Sequence, residues 1–169
     1  MTSSKSVITM PPTGWALALL VIAFLIPGAI GHDPWKSDDA IGIGIVHSML
    51  ESGHWLILQL AREPYFEDGP LFYWLSAALA KAASSFMAIH NGARLATLLS
   101  VVVALYFTRL AARELYGKRA GDLSLLALLG CLGLLVHLHA VIAEAAMLGA
   151  LAVAYYGIAI AWKNTIKAG

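Results

Sequence analysis

Two pairs of adjacent acids are the first residues whose chemistry stands out. Asp38-Asp39 closes the stretch His32-Asp33-Pro34-Trp35-Lys36-Ser37, and Glu67-Asp68 lies inside Pro64-Tyr65-Phe66-Glu67-Asp68-Gly69-Pro70. A carboxylate within hydrogen-bond reach of a hydroxyl can take its proton, and a fixed carboxylate can orient that hydroxyl for attack. Each pair also has a plainer explanation. Ser37-Asp38-Asp39 opens a helical pattern, where Asp caps or complements the helix dipole. Glu67-Asp68-Gly69-Pro70 reads as a polar turn before a helix. A third acid, Glu144, stands at the edge of an apolar run, where a charge is costly unless paired or wet. It too has a plain reading, as a solvated turn between helices.

These residues must be positioned by a membrane-embedded frame. Of the 169 residues, 60% are apolar and 12% charged, about half the charge share of a soluble domain. The expected fold is all-α, a polytopic membrane helix bundle. Net charge is +1 with no basic run, which argues against nucleic acid as a partner. The single cysteine, Cys131, cannot form an internal disulfide.

Four spans are expected, at about 15–30, 95–112, 123–140 and 145–162, each near the roughly 20 apolar residues a crossing needs. The first could also be a signal peptide ending near Ala29-Ile30-Gly31. The run Leu123–Trp162 is about twice too long for one span, so it must fold as a hairpin, with His137, His139 and Glu144 marking the turn. Arg94 and Arg109 are expected to snorkel at the ends of the 95–112 span. With the N-terminus inside, Lys5, Arg109, Arg113, Lys118, Arg119, Lys163 and Lys167 are cytoplasmic and the loop 31–94 is extracytoplasmic. A five-span chain with its N-terminus outside satisfies the same charge rule. It would bury Lys81 mid-bilayer at a cost of about 3 kcal/mol, which favours four.

Two interfacial helices are expected in the loop. One runs from Asp39 to Glu51, closed by Ser52-Gly53, with Ile41, Ile45 and Met49 on one face. Gly42 and Gly44 weaken it by roughly 1 kcal/mol each, and the Ile-Gly alternation also reads as a strand. The other covers Leu71–Ile89, with Leu71, Leu75, Ala78, Leu79, Ala82 and Phe86 as its apolar stripe and Tyr73, Lys81, Ser84 and Ser85 opposite. Trp35, Trp55, Tyr65 and Trp74 fit an aromatic belt.

The order of these pieces is more specific than any one of them. A span is followed by Asp38-Asp39, then a helix ending in Ser52-Gly53-His54-Trp55. Tyr65-Phe66-Glu67 and Pro70-Leu71-Phe72-Tyr73-Trp74 come next. Gly92-Ala93-Arg94-Leu95 enters the next span and Ala112-Arg113-Glu114-Leu115-Tyr116-Gly117 leaves it. From about residue 14 to 162 this resembles the start of the GT-C integral membrane glycosyltransferases, most of all the aminoarabinose transferase and protein O-mannosyltransferase group. The resemblance implies transfer of a sugar, with inversion, from a polyprenyl-phosphate donor to a lipid or protein acceptor at the extracytoplasmic face, in the plasma membrane if bacterial. It places the base or acceptor-orienting role on Asp38, with Asp39 and Glu67 as further catalytic candidates. Tyr65, Asp68, Arg62 and Glu144 become substrate-binding candidates. It assigns no metal ligand and leaves a divalent metal open.

Three departures stand against it. The family's Lys before the Pro-Leu step, suited to a phosphate, is replaced here by Asp68-Gly69. Ile41 and Gly42 stand where relatives carry polar residues. The family's enzymes are also far longer, so the sequence fits an N-terminal module of a larger enzyme, part of a split enzyme with a second membrane chain, or a non-catalytic relic of the same architecture. A small transporter is the weakest option, since no paired broken helices are evident.

Overall fold

The computed structural model describes residues 14–34 and 36–168, with side chains described as far as residue 165. Lys5 and Trp35 lie outside the described residues, as does the side chain of Lys167. Among the described residues there are seven helices and one two-stranded hairpin. They are α1 Gly14–Leu25, α2 Ser37–Ser52, β1 Gln59–Leu60, β2 Glu63–Pro64, α3 Pro70–Ala83, α4 Ile89–Tyr116, α5 Lys118–Leu129, α6 Leu132–His137 and α7 Ala143–Ala168.

Two of these helices, α4 and α7, are long and apolar enough to cross a membrane. At 28 residues, α4 is about 42 Å long, more than a hydrocarbon core of about 30 Å. It begins six residues before the expected span, because Gly92 brings its first turn onto α3. A Cβ at Gly92 would lie 2.7 Å from the Ala80 Cα.

The two long helices run parallel. Thr97 donates to the Ala140 carbonyl at 2.7 Å, and Gly149 lies against the Ser100 carbonyl, 2.9 Å from where its Cβ would be. Phe107 meets Tyr156 with ring centroids 5.5 Å apart, and Lys163 donates to Glu114. Partners advance together along both chains, seven residues at a time from Ser100–Gly149 to Phe107–Tyr156 to Glu114–Lys163. That is the heptad spacing of left-handed helix packing, with a small residue at the closest approach. Parallel neighbours require the chain between them to return along the same length, and α5 and α6 make that return.

The return is not the single helix expected over 123–140. It is broken at Gly130-Cys131, where Cys131 is extended, between α5 and the six-residue α6. Its start is set by Gly117, whose φ of 90° and ψ of 172° belong to a region only glycine occupies without strain. The turn before α7 falls at residues 138–142, between His137 and Glu144 as expected. In the first apolar segment, α1 stops at Leu25, because Pro27 and the left-handed Gly28 (φ 83°) follow. Its 12 described residues span about 18 Å.

In the loop, the Asp39–Glu51 expectation is met by α2, helix rather than strand. Gly53 closes it in the left-handed region with its N–H on the Met49 carbonyl, and Ile45 and Met49 are buried. For α3 the packed face differs from the expected stripe. Phe72, Tyr73, Ser76, Ala77, Ala80 and Ala83 face the protein, while Leu71 and Phe86 are 75% and 73% exposed. Small residues admit the close approach of α4, and the bulky apolar ones point outward, which suits a surface covered by lipid. Lys81 is exposed on α3.

The hairpin was not anticipated. Leu60 pairs with Glu63, and the two linking residues, Ala61 and Arg62, have φ of 52° and 71°. This is the geometry that Asn-Gly favours. Ala61→Asn with Arg62→Gly should therefore stabilise the fold by about 1–2 kcal/mol, read as a higher unfolding midpoint in detergent. No gain would mean that the loop is not held in this turn.

Candidate functional site

At the end of the bundle where α4 and α7 begin, a buried ion pair organises the backbone. Asp39, in the first turn of α2, does not cap its own helix. Its Oδ2 accepts from Arg94 NH2 at 2.7 Å and its Oδ1 from the Val141 N–H at 2.8 Å. Both side chains are out of solvent, Arg94 at 0% and Asp39 at 1% exposure. The other end of the guanidinium donates to the His32 carbonyl at 2.7 Å and to Asn91 Oδ1 at 3.4 Å, and Asn91 accepts from the Gly31 N–H. Arg94 therefore does not snorkel; it ties the 31–34 loop, α2 and the 138–142 turn to α4. Arg109 likewise turns to a partner, with Nε and NH2 on Asp122 Oδ1 at 3.0 and 2.7 Å.

Gly42 completes the junction. A Cβ there would lie 2.0 Å from the Val141 carbonyl oxygen, so only glycine lets α2 sit against this turn. The glycine that weakens the helix locally is what allows its docking.

With Asp39 committed, Asp38 is left exposed at the helix start, its only described hydrogen bond a 3.2 Å one from the Ser37 hydroxyl. It opens onto a mainly apolar cavity of about 350 Å³ lined also by Val101, Cys131, His137, Leu138 and Glu144, within the size range of small-ligand sites. Two acids distant in sequence, Asp38 and Glu144, thus share one pocket. The break at Gly130-Cys131 lies against it, a place where irregular backbone is tolerated because it lines a cavity. A second cavity, of about 410 Å³, lies on the far side of the α6 segment and is lined by His32, Lys36, Asp39 and His139.

Glu67, Asp68 and Tyr65 form a cluster at the start of α3. Tyr73 donates to Asp68 Oδ2 at 2.8 Å, and the Tyr65 hydroxyl lies 3.3 Å from Glu67 and 3.4 Å from Asp68. Burial, then the Asp68 and Glu67 charges, push Tyr65 up to about 12. Burial and the Asp68 hydrogen bond and charge raise Tyr73 further, with a contribution from Glu144. Glu144 lines the cavity, and its charge reaches Tyr73. Arg62 is exposed at the hairpin tip and lines neither cavity.

These phenols hold their protons more tightly folded than unfolded. The stability they carry is full below the ordinary pKa near 10 and is lost as pH rises through about 12 for Tyr65. Comparing the chain with its Tyr65→Phe/Tyr73→Phe variant by ultraviolet titration should show no phenolate from either residue below a pH of about 11. Ionisation of either one near its ordinary value would show that the carboxylates do not hold them.

Sequence reasoning missed Arg94, Thr97, Lys36, His32 and His139. For Arg94 a signal existed: an arginine opening a long apolar run calls for a carboxylate partner as readily as for an interface. Among the described residues no three His, Cys, Asp or Glu side chains converge as a metal site, so no ligands are assigned to a divalent ion. No protein family's profile matches this chain, and neither does any curated protein or solved structure.

Proposed function

We propose that this chain is a GT-C-type glycosyltransferase module that moves a sugar from a polyprenyl-phosphate carrier to a lipid or protein acceptor at the extracytoplasmic face of the membrane. The observation that carries this reading is the shared cavity of Asp38 and Glu144. The resemblance singles out both acids, and nothing local in the sequence brings them together.

The parallel packing of α4 and α7 supports the four-span reading. If both cross, the α5–α6 return crosses between them, and α1 packs Leu17 beside Val101 and Leu125. The cavities then open at the end carrying the 31–94 loop, and Arg113, Lys118, Arg119 and Lys163 gather at the opposite, cytoplasmic end. This satisfies the positive-inside rule.

In the reaction, an acceptor hydroxyl in the apolar cavity donates its proton to Asp38. Its oxygen bonds to the anomeric carbon on the face opposite the phosphate, and the carbon–oxygen bond to phosphate breaks with its electron pair leaving on the phosphate. The sugar carbon inverts. Asp39 is a positioning residue whose two bonds fix the first turn of α2, and hence Asp38. Glu144 and the Tyr65–Asp68 cluster hold sugar or acceptor hydroxyls, with Glu67 at its exposed rim.

Asp68 in place of a lysine favours a second reading, a non-catalytic membrane subunit that binds a lipid or partner span. The two separate in an assay of sugar transfer from a labelled polyprenyl-phosphate donor. Membranes carrying the chain should transfer sugar above membranes without it, and equal rates would leave only the subunit reading.

A further inference from the structure

We infer that residues 56–66, the β1–β2 hairpin and the residues on either side of it, form a wedge that inserts into the extracytoplasmic phospholipid monolayer beside the bundle. That rests on α4 and α7 crossing the membrane as proposed above, and not on sugar transfer.

Strand alternation divides the side chains of this segment. The Tyr65 N–H donates to the Leu58 carbonyl at 2.8 Å, one pair beyond Gln59–Pro64 and Leu60–Glu63. Leu58 is buried in the core cluster that includes Ile45, Val46 and Met49 of α2, and Leu60 and Tyr65 pack against the same cluster. Successive residues of a strand point to opposite sides, so Ile57 and Phe66, the neighbours of this inner set, turn outward. Phe66 is 81% exposed and Leu56 79%.

The apolar surface continues onto α3. Trp74 donates through Nε1 to the Trp55 carbonyl, which holds the 55–57 segment along the outward side of that helix, where Leu71 and Leu75 are also exposed. Large apolar side chains exposed together on adjoining elements mark a surface that is covered by something else.

Position names the occupant. Residues 84–88 link α3 to α4, and Ala80 sits against Gly92 in the first turn of α4. The turns of α4 before Leu95 carry His90, Asn91 and Arg94. A helix of about 42 Å exceeds a hydrocarbon core of about 30 Å, so these polar turns stand at headgroup level, and α3 with them. The exposed charges within residues 56–83 are Arg62 and Lys81 against Glu63 and Glu67, and they cancel. Insertion is therefore driven by apolar area and needs no anionic lipid, while Arg62 and Lys81 extend their charges toward the phosphates. Because Leu58 and Leu60 are packed on α2, the wedge ties that helix, and Asp38 at its start, to the lipid surface.

The test uses the full chain in phosphatidylcholine nanodiscs, with Cys131→Ser and a nitroxide on one introduced cysteine at a time. Leu56→Cys and Phe66→Cys probe the wedge. His47→Cys, on the exposed side of α2, marks water, and Leu151→Cys, exposed on α7, marks lipid. Labels at Leu56 and Phe66 should relax faster with oxygen than with a water-soluble nickel chelate, as at Leu151, and the label at His47 should show the reverse. On the unaltered chain, a diazirine in the acyl chain of the phosphatidylcholine should crosslink within residues 56–66, a readout that holds even if a variant misfolds. Nickel-dominated relaxation at Leu56 and Phe66, or insertion only once phosphatidylglycerol is added, overturns the wedge. Protection from both relaxation reagents identifies a protein partner or a second copy in its place, and overturns it equally. Nickel-dominated relaxation at Leu151 removes the membrane reading, and the wedge with it. Failure of the wedge alone leaves Leu151 in lipid and the transfer assay to judge the transferase independently.

Discussion

Asp39→Ala should destabilise the folded chain by about 3–5 kcal/mol, and adding Arg94→Met should recover part of that loss. The argument is one of stranded charge. With Asp39 gone, the guanidinium remains at 0% exposure, its Nε already without a partner among the described residues. Methionine in place of Arg94 removes the buried cation while keeping much of its apolar volume. Recovery is incomplete, because the Val141 N–H that Asp39 accepts at 2.8 Å still loses its acceptor, a cost of about 1–3 kcal/mol. Reversible unfolding in mixed micelles of the two single variants and the double gives the coupling. If Asp39→Ala costs under about 1 kcal/mol, or if the two losses simply add, the pair does not organise this end of the bundle.

That pair also shows where reading the sequence stops. Local rules placed α2 correctly, since its Ile45–Met49 face and the Ser52-Gly53 stop depend only on near neighbours. The same rules gave Asp39 a capping role, because its actual partners lie 55 and 102 residues away and no short-range pattern points to them. Arg94 suffered the converse error: its place at the edge of an apolar run suggested an interface, and only the fold supplies the carboxylate.

Other differences have equally particular causes. The apolar stripe read from the pattern put the bulky residues inward, but Ser76, Ala77 and Ala80 pack inward while Leu71 on α3 and Phe86 just beyond it point out. Residue size decides it, since the backbones meet at Gly92. The break at Gly130-Cys131 sits in a run whose hydropathy does not change there, and Gly130 and Gly133 mark it only as glycines that a helix also tolerates. The β1–β2 hairpin carries Ala-Arg where a turn signal would be Asn-Gly, and so it left no trace. The 138–142 turn, by contrast, was legible because His137 and Glu144 interrupt that run on either side of it.

The division of labour between the adjacent acids leads to the largest expected effect on activity. On the proposed transferase reading, Asp38→Asn should lower sugar transfer by about 10²–10⁴-fold, the usual contribution of a general base, while leaving stability close to that of the parent. The fold has little stake in this side chain: it is exposed, and its one described hydrogen bond is from neighbouring Ser37. Asparagine keeps the shape and loses the proton acceptor, so turnover falls more than donor binding does. Glu144→Gln, on the opposite wall of the same cavity, should raise the acceptor KM more than it lowers kcat if that carboxylate holds substrate rather than taking a proton. Measured in the same membranes, with each variant's unfolding midpoint as the control, the two substitutions separate the roles. Transfer by Asp38→Asn at the parent rate would remove Asp38 from the mechanism. With Asp39 sealed against Arg94 and Val141, Glu144 would then be the one acid on this cavity left to serve as base.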